Sequence, residues 1–122
     1  MSTMDFLGTY AEGWTNGDGE TILSATSDAF VFDDPNAGPV SKADFPAYMA
    51  GLRDAVAEIR GGDGDGPFME LSEVVTNEDG GVLTAWCWWE VPGTDIKGSG
   101  LIKVAEDGVV SERITYYAKL PG

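Results

Sequence analysis

A chain of 122 residues, 43% of them hydrophobic, is long enough for one domain with its own core and too short for two. Its 21 acidic residues against 7 basic ones leave a net charge of −14, which repels phosphate backbones and anionic membrane surfaces and argues against nucleic acid or a membrane as partner. Histidine is absent and Cys87 is the only cysteine, so Ser-His-Asp and Cys-His catalytic sets, an intramolecular disulfide, a thiolate metal cluster and the commonest transition-metal ligand all fall away. Acid–base chemistry is left to carboxylates, Tyr, Lys or water, with no metal and no cofactor expected.

The opening MSTMDFLGTYAEG has neither the basic n-region nor the continuous apolar core of a secretory signal, and no run reaches the length of a membrane span, so a cytoplasmic location is expected. Between Met4 and Asn16, Phe6, Leu7, Tyr10, Ala11 and Trp14 recur at three- and four-residue spacing, which predicts an amphipathic helix capped by Ser2 or Thr3. Gly17 breaks it, and Asp18 caps a short second helix through Ile22 and Leu23. A strand, AFVF, follows, then the turn DDPNAGP. Ser41 and Asp44 sit where caps belong for the longest helix, along which Phe45, Tyr48, Met49, Leu52, Val56 and Ile59 run to Arg60. GGDGDGP predicts a flexible loop; GDGDG resembles a calcium loop superficially but lacks the further oxygen ligands and terminal glutamate at the needed spacing. Beyond it Phe68–Thr76, Val82–Val91, Lys97–Ala105 and Val109–Tyr117 read as strands separated by NEDGG, PGTD and EDG turns. Helices first and a meander afterwards predict one α+β domain over 1–122, its helices on one face of a curved, mainly antiparallel sheet.

Strand parity separates the two adjacent aspartates. Residues two apart share a face, so Phe30, Phe32 and Asp34 point one way while Val31 and Asp33 point the other. Asp34 then sits with two phenylalanines, and apolar surroundings raise a carboxyl pKa toward the range a general base near neutrality needs. A turn cap ahead of Pro35 is the competing role.

YAEGWTNGDGETI, DAFVFDDPNAGPVSKADF and the final hairpin KVAEDGVVSERITYY resemble the NTF2-like superfamily, and within it the SnoaL-like and ketosteroid-isomerase-like branch, over nearly the whole chain. The resemblance implies an NTF2-like, also termed cystatin-like, cone with a pocket between sheet and helices. It matches Asp34 to a catalytic aspartate that shuttles a proton, Tyr10 to a hydrogen-bond donor for a developing oxyanion, and Tyr117 to an aromatic lining the pocket. Where the branch has a second donor, a protonated carboxylic acid on the penultimate strand, this chain has Gly100; the loss of such a donor removes about 3 kcal/mol of stabilisation. Thr26 and Met49 stand approximately where supporting tyrosines are found.

The expected ligand wall draws Trp14 and Met49 from the helices and Phe30 and Phe32 from the first strand. Trp86 and Trp88 share one face of their strand and Cys87 and Trp89 the other; parity alone leaves the choice of face open, and Trp86 and Trp88 are assigned to the wall. Arg113 follows Tyr117 by alternation, which places a cation within reach of Asp34. GSG at Gly98 to Gly100 permits a bulge or room for a ligand, and Cys87 reads as a buried structural thiol. The functional expectation is a small-organic-ligand binder, a cofactor-independent isomerase, cyclase or hydrolase with Asp34 as base, forming a homodimer through the outer sheet face. The alternative is a non-catalytic ligand-binding or dimerisation module.

Overall fold

The computed structural model of the chain describes residues 1–62 and 66–117. Ser2, not Thr3, starts α1 (Thr3–Asn16): its Oγ accepts from the Asp5 N–H at 3.1 Å while Asp5 Oδ2 accepts from the Ser2 N–H at 3.0 Å, a reciprocal capping box. Gly17 ends the helix in the left-handed conformation, with φ of 66°, a position that favours glycine. Asp18 then caps α2 (Gly19–Ser24) by accepting from the Glu20 and Thr21 amides.

β1 runs over Thr26–Asp34, longer than the AFVF core that hydrophobicity alone marks out. The PNA turn does not lead straight to a helix. It closes a hairpin onto β2 (Gly38–Ser41), with Phe32 opposite Val40, because Val40 finds a buried place and the Ala37 N–H bonds the Asp34 carbonyl. α3 (Phe45–Arg60) follows; Asp44 occupies its N-cap without a side-chain cap bond, and Ser41 Oγ instead accepts from the Asp44 N–H at 3.2 Å. The expected GDGDG loop lies across 63–65, outside the described residues. Arg60, at the end of α3, donates to the carbonyls of Phe68 and Pro92.

The meander is β3 (Glu70–Asp79), β4 (Val82–Glu90), β5 (Lys97–Ala105) and β6 (Gly108–Tyr116). The sheet order is β2-β1-β6-β5-β4-β3, antiparallel except where β1 lies parallel to β6, and bulges interrupt β3 and the β5–β6 pairing. The helices cover one face, and the core forms there from Leu7, Trp14, Ile22, Phe30, Phe45, Val56, Leu83, Val91, Val104 and Val109. No described helix is long and apolar enough to cross a membrane.

Register decides which residues meet the helices. β4 turns Leu83, Ala85, Cys87 and Trp89 inward; the opposite parity would bury Thr84 and Glu90 and expose Leu83. β6 likewise turns Glu112 and Ile114 inward and leaves Arg113 and Thr115 outside. Gly98 faces inward where a Cβ would strike the Thr115 carbonyl and the Trp89 ring. Gly98→Ala is therefore expected to destabilise the chain by about 2 kcal/mol or more, measured as a lower midpoint in urea unfolding.

Candidate functional site

The end of β1 carries Asp34, 4% exposed, into the space under the helices. Its two oxygens have different tasks. Oδ1 accepts from the Asn36 N–H at 2.9 Å and so stabilises the turn after Pro35. Oδ2 accepts from the Tyr48 hydroxyl of α3 at 2.7 Å and from the Tyr116 hydroxyl of β6 at 2.9 Å. Burial, then the hydrogen bond and the charge of Asp34, raise both phenols, Tyr116 to about 12 and Tyr48 further, so each remains a proton donor across the physiological range.

A second buried carboxyl stands beside it. Glu112 of β6, opposite Phe32 in the parallel β1–β6 pairing, is 6% exposed and accepts from the Tyr10 hydroxyl of α1 at 2.5 Å. Burial raises its pKa to about 7, and the Tyr10 hydrogen bond opposes that rise. Tyr10 is pushed well up by burial and then by Glu112. Gly100 on β5 leaves the room: a Cβ there would collide with Glu112 Oε2. A carboxyl is thus present over Gly100 after all, carried by the neighbouring strand. Cys87, opposite Gly100, is raised to about 12 by burial and then by Glu112, an inert thiol at neutral pH.

Between α1, α3 and the sheet lies a cavity of about 40 Å³ with Tyr10, Trp14, Phe32, Tyr48, Trp89, Ile102, Glu112, Ile114 and Tyr116 on its wall. Ring pairs hold the wall together: Trp14 with Phe32 at 5.4 Å, Phe32 with Tyr48 at 5.3 Å, Trp89 with Tyr116 at 5.7 Å. The structure brings Asp34, Tyr10, Trp14 and Phe32 to this region, but Asp34 stands behind the Tyr48 and Tyr116 hydroxyls and does not line the cavity. Phe30 packs edge-on against Tyr10 and Phe45, and Met49 is 3% exposed in the core; neither reaches the wall.

Trp86, Trp88, Arg113 and Tyr117 lie on the opposite face of the sheet, contrary to the wall drawn from the sequence. Trp88 is 39% and Tyr117 55% exposed, Trp86 packs against Trp88 with ring centroids 5.0 Å apart, and Arg113 pairs with Asp33 at 3.3 Å, not with Asp34. The inward placement of Arg113 follows from Tyr117. The inward aromatic is its neighbour Tyr116, and a one-residue slip reverses every side chain of a strand. Sequence reasoning accordingly missed Glu112, Tyr116 and Trp89, although placing Ile114 inward identifies Glu112 and Tyr116 by alternation. Among the described residues no three His, Cys, Asp or Glu side chains converge as metal ligands.

No protein-family model and no curated protein matches the sequence. Solved structures do. An NTF2-like protein of unknown function from Cytophaga hutchinsonii superposes with a TM-score of 0.62 at 14% identity, over 96% of this chain and 91% of that one. The fold is NTF2-like. The NTF2-like fold is shared with a candidate polyketide cyclase from Pseudomonas putida, at TM-score 0.60 and 16% identity over 98% of this chain and 93% of that one. A candidate ketosteroid isomerase from Kribbella flavida has it too, at TM-score 0.58 and 14% identity over 98% and 83%. Such identities carry the NTF2-like fold and leave the chemistry to the site itself.

The raised pKa of Glu112 has a measurable consequence. Its carboxyl ionises near 4.5 when exposed and at about 7 in the fold, so the folded chain binds the proton more tightly and loses stability as pH rises between those values. Glu112→Gln removes this titration: relative to that variant, the wild-type chain is expected to lose a few kcal/mol between pH 4.5 and 7 and nothing further above, read from urea midpoints across pH.

Proposed function

We propose that the chain binds a small, mainly apolar organic molecule bearing an oxygen function and transfers a proton on it without a cofactor, as an isomerase, cyclase or hydrolase of the SnoaL-like type. One observation carries the reading: within an aromatic enclosure three tyrosine hydroxyls converge on two buried carboxyls, Tyr10 on Glu112 and Tyr48 and Tyr116 on Asp34. Apolar walls with a few polar groups and titrating carboxyls are the usual make-up of a site for proton transfer. Asp34 acts as the base, reached when a substrate displaces the hydroxyls on its Oδ2, and Tyr10 supplies a hydrogen bond to the substrate oxygen. Tyr116, 37% exposed, is the wall residue best placed to swing outward and admit a guest larger than the cavity's about 40 Å³. The candidate cyclase and isomerase with the same fold support the reaction class by analogy.

A second reading, a carrier without catalysis, is favoured by the position of Asp34 behind its two tyrosines. The two separate cleanly. A panel of small ketones, enones, lactones and epoxides is expected to raise the melting temperature, and Asp34→Asn to leave that binding intact while lowering turnover by roughly 100-fold or more. Ligands that bind and are never converted establish the carrier; unchanged turnover in Asp34→Asn removes Asp34 as base.

The outer sheet face serves as a dimer interface in the same proposal. Val75, Val82, Trp88 and Leu101 lie there exposed, beside three of the chain's seven basic residues, Lys97, Lys103 and Arg113. On a molecule of charge −14 those bases lower the repulsion between two copies that meet through this face. Sedimentation is expected to give about twice the chain mass of 12.9 kDa, and Trp88→Glu to return it to the monomer. A monomeric wild-type chain at micromolar concentration removes the interface.

A further inference from the structure

α1 and β3 are tied together at two places and stand apart between them. At one end the Phe68 N–H donates to the Thr15 carbonyl at 2.7 Å; at the other the Thr3 hydroxyl donates to Glu78 Oε1 at 2.9 Å. Between these ties lies an open groove of about 630 Å³. Gly8, Ala11 and Thr15 form its α1 wall, one stripe of the helix whose side chains are too short to fill it. A Cβ on Gly8 would meet nothing within 4 Å. The facing wall, Met69, Leu71 and Val74, is apolar. The bulge between Ser72 and Val75 takes Glu73 and Val74 out of the ladder with β4, and Val74 is left 53% exposed in the groove.

β3 is the last strand of the sheet, so among the described residues no strand pairs with the backbone groups on its far side. A groove beside a free strand edge suits an extended chain, whose main chain adds a strand while alternate side chains turn into the groove. Charge decides which chain. Glu12, Glu70 and Glu90 rim the groove, and no basic residue lines it among the described residues. Glu70 and Glu90 stand opposite each other in the β3–β4 ladder, a pairing of like charges that a cation relieves. Lys97, opposite Glu90 on β5, lies over the Tyr117 ring at 5.2 Å, and none of the three acids has an ion-pair partner among the described residues. A second copy is a poor occupant. Its own β3 edge carries Glu70, Glu73, Glu78 and Asp79 with no base, so edge against edge sets acid against acid.

We propose that the groove between α1 and β3 docks a basic extended segment of a partner protein, in which lysine or arginine alternates with apolar residues, as an added strand on the free edge of β3. The apolar side chains rest on Ala11, Leu71 and Val74, and the cations reach Glu12, Glu70 and Glu90. Ala11, Met69 and Leu71 also form part of the wall of the inner cavity, but docking requires neither a ligand in that cavity nor catalysis.

A fluorescein-labelled hexapeptide alternating lysine and valine is the probe, titrated with the full chain by fluorescence anisotropy. It is expected to bind, about tenfold more weakly at about 300 mM salt than at about 50 mM, because salt screens the rim charges. The same peptide with its backbone amide nitrogens methylated keeps its charge and loses the donors of an added strand; it is expected to bind at least about tenfold more weakly. Gly8→Leu puts a side chain into the groove where a Cβ meets no neighbour, and leucine is the better helix former, so the variant is expected to fold and to weaken binding about tenfold or more. Glu12→Lys combined with Glu70→Lys is expected to have the same effect by reversing the rim charge. No binding of the lysine and valine peptide, equal binding of its methylated form, equal binding of a peptide alternating glutamate and valine, or unchanged binding by Gly8→Leu overturns the proposal. So does a chain that stays dimeric as Trp88→Glu and becomes monomeric only when Gly8→Leu is added, since a second copy then holds the groove.

Discussion

Two carboxyl groups are buried under the helices with no cation among the described residues to neutralise them, and most of the site's construction answers that constraint. An isolated buried carboxylate is costly unless hydrogen-bonded. The basic side chains among the described residues are engaged elsewhere: Lys97, Lys103 and Arg113 on the outer sheet face, Lys42 on the Thr26 carbonyl, Arg53 on the Gly17 carbonyl, and Arg60 on the carbonyls of Pro92 and Phe68. Tyrosine takes their place. A phenol hydroxyl is a neutral donor, so it satisfies an oxygen without supplying the charge that holds a carboxyl fully ionised. Among the described residues Asp34 has three donors and Glu112 has one, so two carboxyls in one enclosure are held differently.

Each tyrosine comes from a different element, Tyr10 from α1, Tyr48 from α3 and Tyr116 from β6, so the polar groups are aligned only when helices and sheet are docked. The aromatic contacts do the docking. Tyr10 meets Phe30 at 6.0 Å and Tyr48 meets Phe32 at 5.3 Å, each such pair contributing roughly 0.5–1.5 kcal/mol beyond its burial. Folding and site assembly are therefore one event, and a change that loosens the aromatic cluster also releases the carboxyls.

The two faces of the sheet divide the chemistry. The inner face holds both buried carboxyls, Tyr116 and small residues at Ala85, Cys87, Gly98 and Gly100 that make space. The outer face holds paired tryptophans, exposed aliphatics and the Arg113–Asp33 pair, which at 75% and 34% side-chain exposure adds little to stability. Strand alternation alone keeps these sets apart, which is why a one-residue error of register moves Arg113 and Tyr117 into the wrong compartment.

Much of this was legible before folding. Periodicity located α1 and α3, turn chemistry bounded the meander, and alternation set Phe30, Phe32 and Asp34 against Val31 and Asp33, because each of these rests on spacing within a few residues. β2 was not legible, since four residues with a proline among them become a strand only when β1 lies alongside. The amino-acid sequence by itself determined the α+β layout, the absence of histidine chemistry and the inward course of Asp34. Only the tertiary structure decided that Glu112 fills the place over Gly100, that Tyr48 and Tyr116 stand between Asp34 and the cavity, and that Trp89, not Trp86 and Trp88, lines it. Those facts depend on which strand neighbours which and in what register, a balance of buried against exposed side chains summed over the whole sheet that no local stretch of sequence contains.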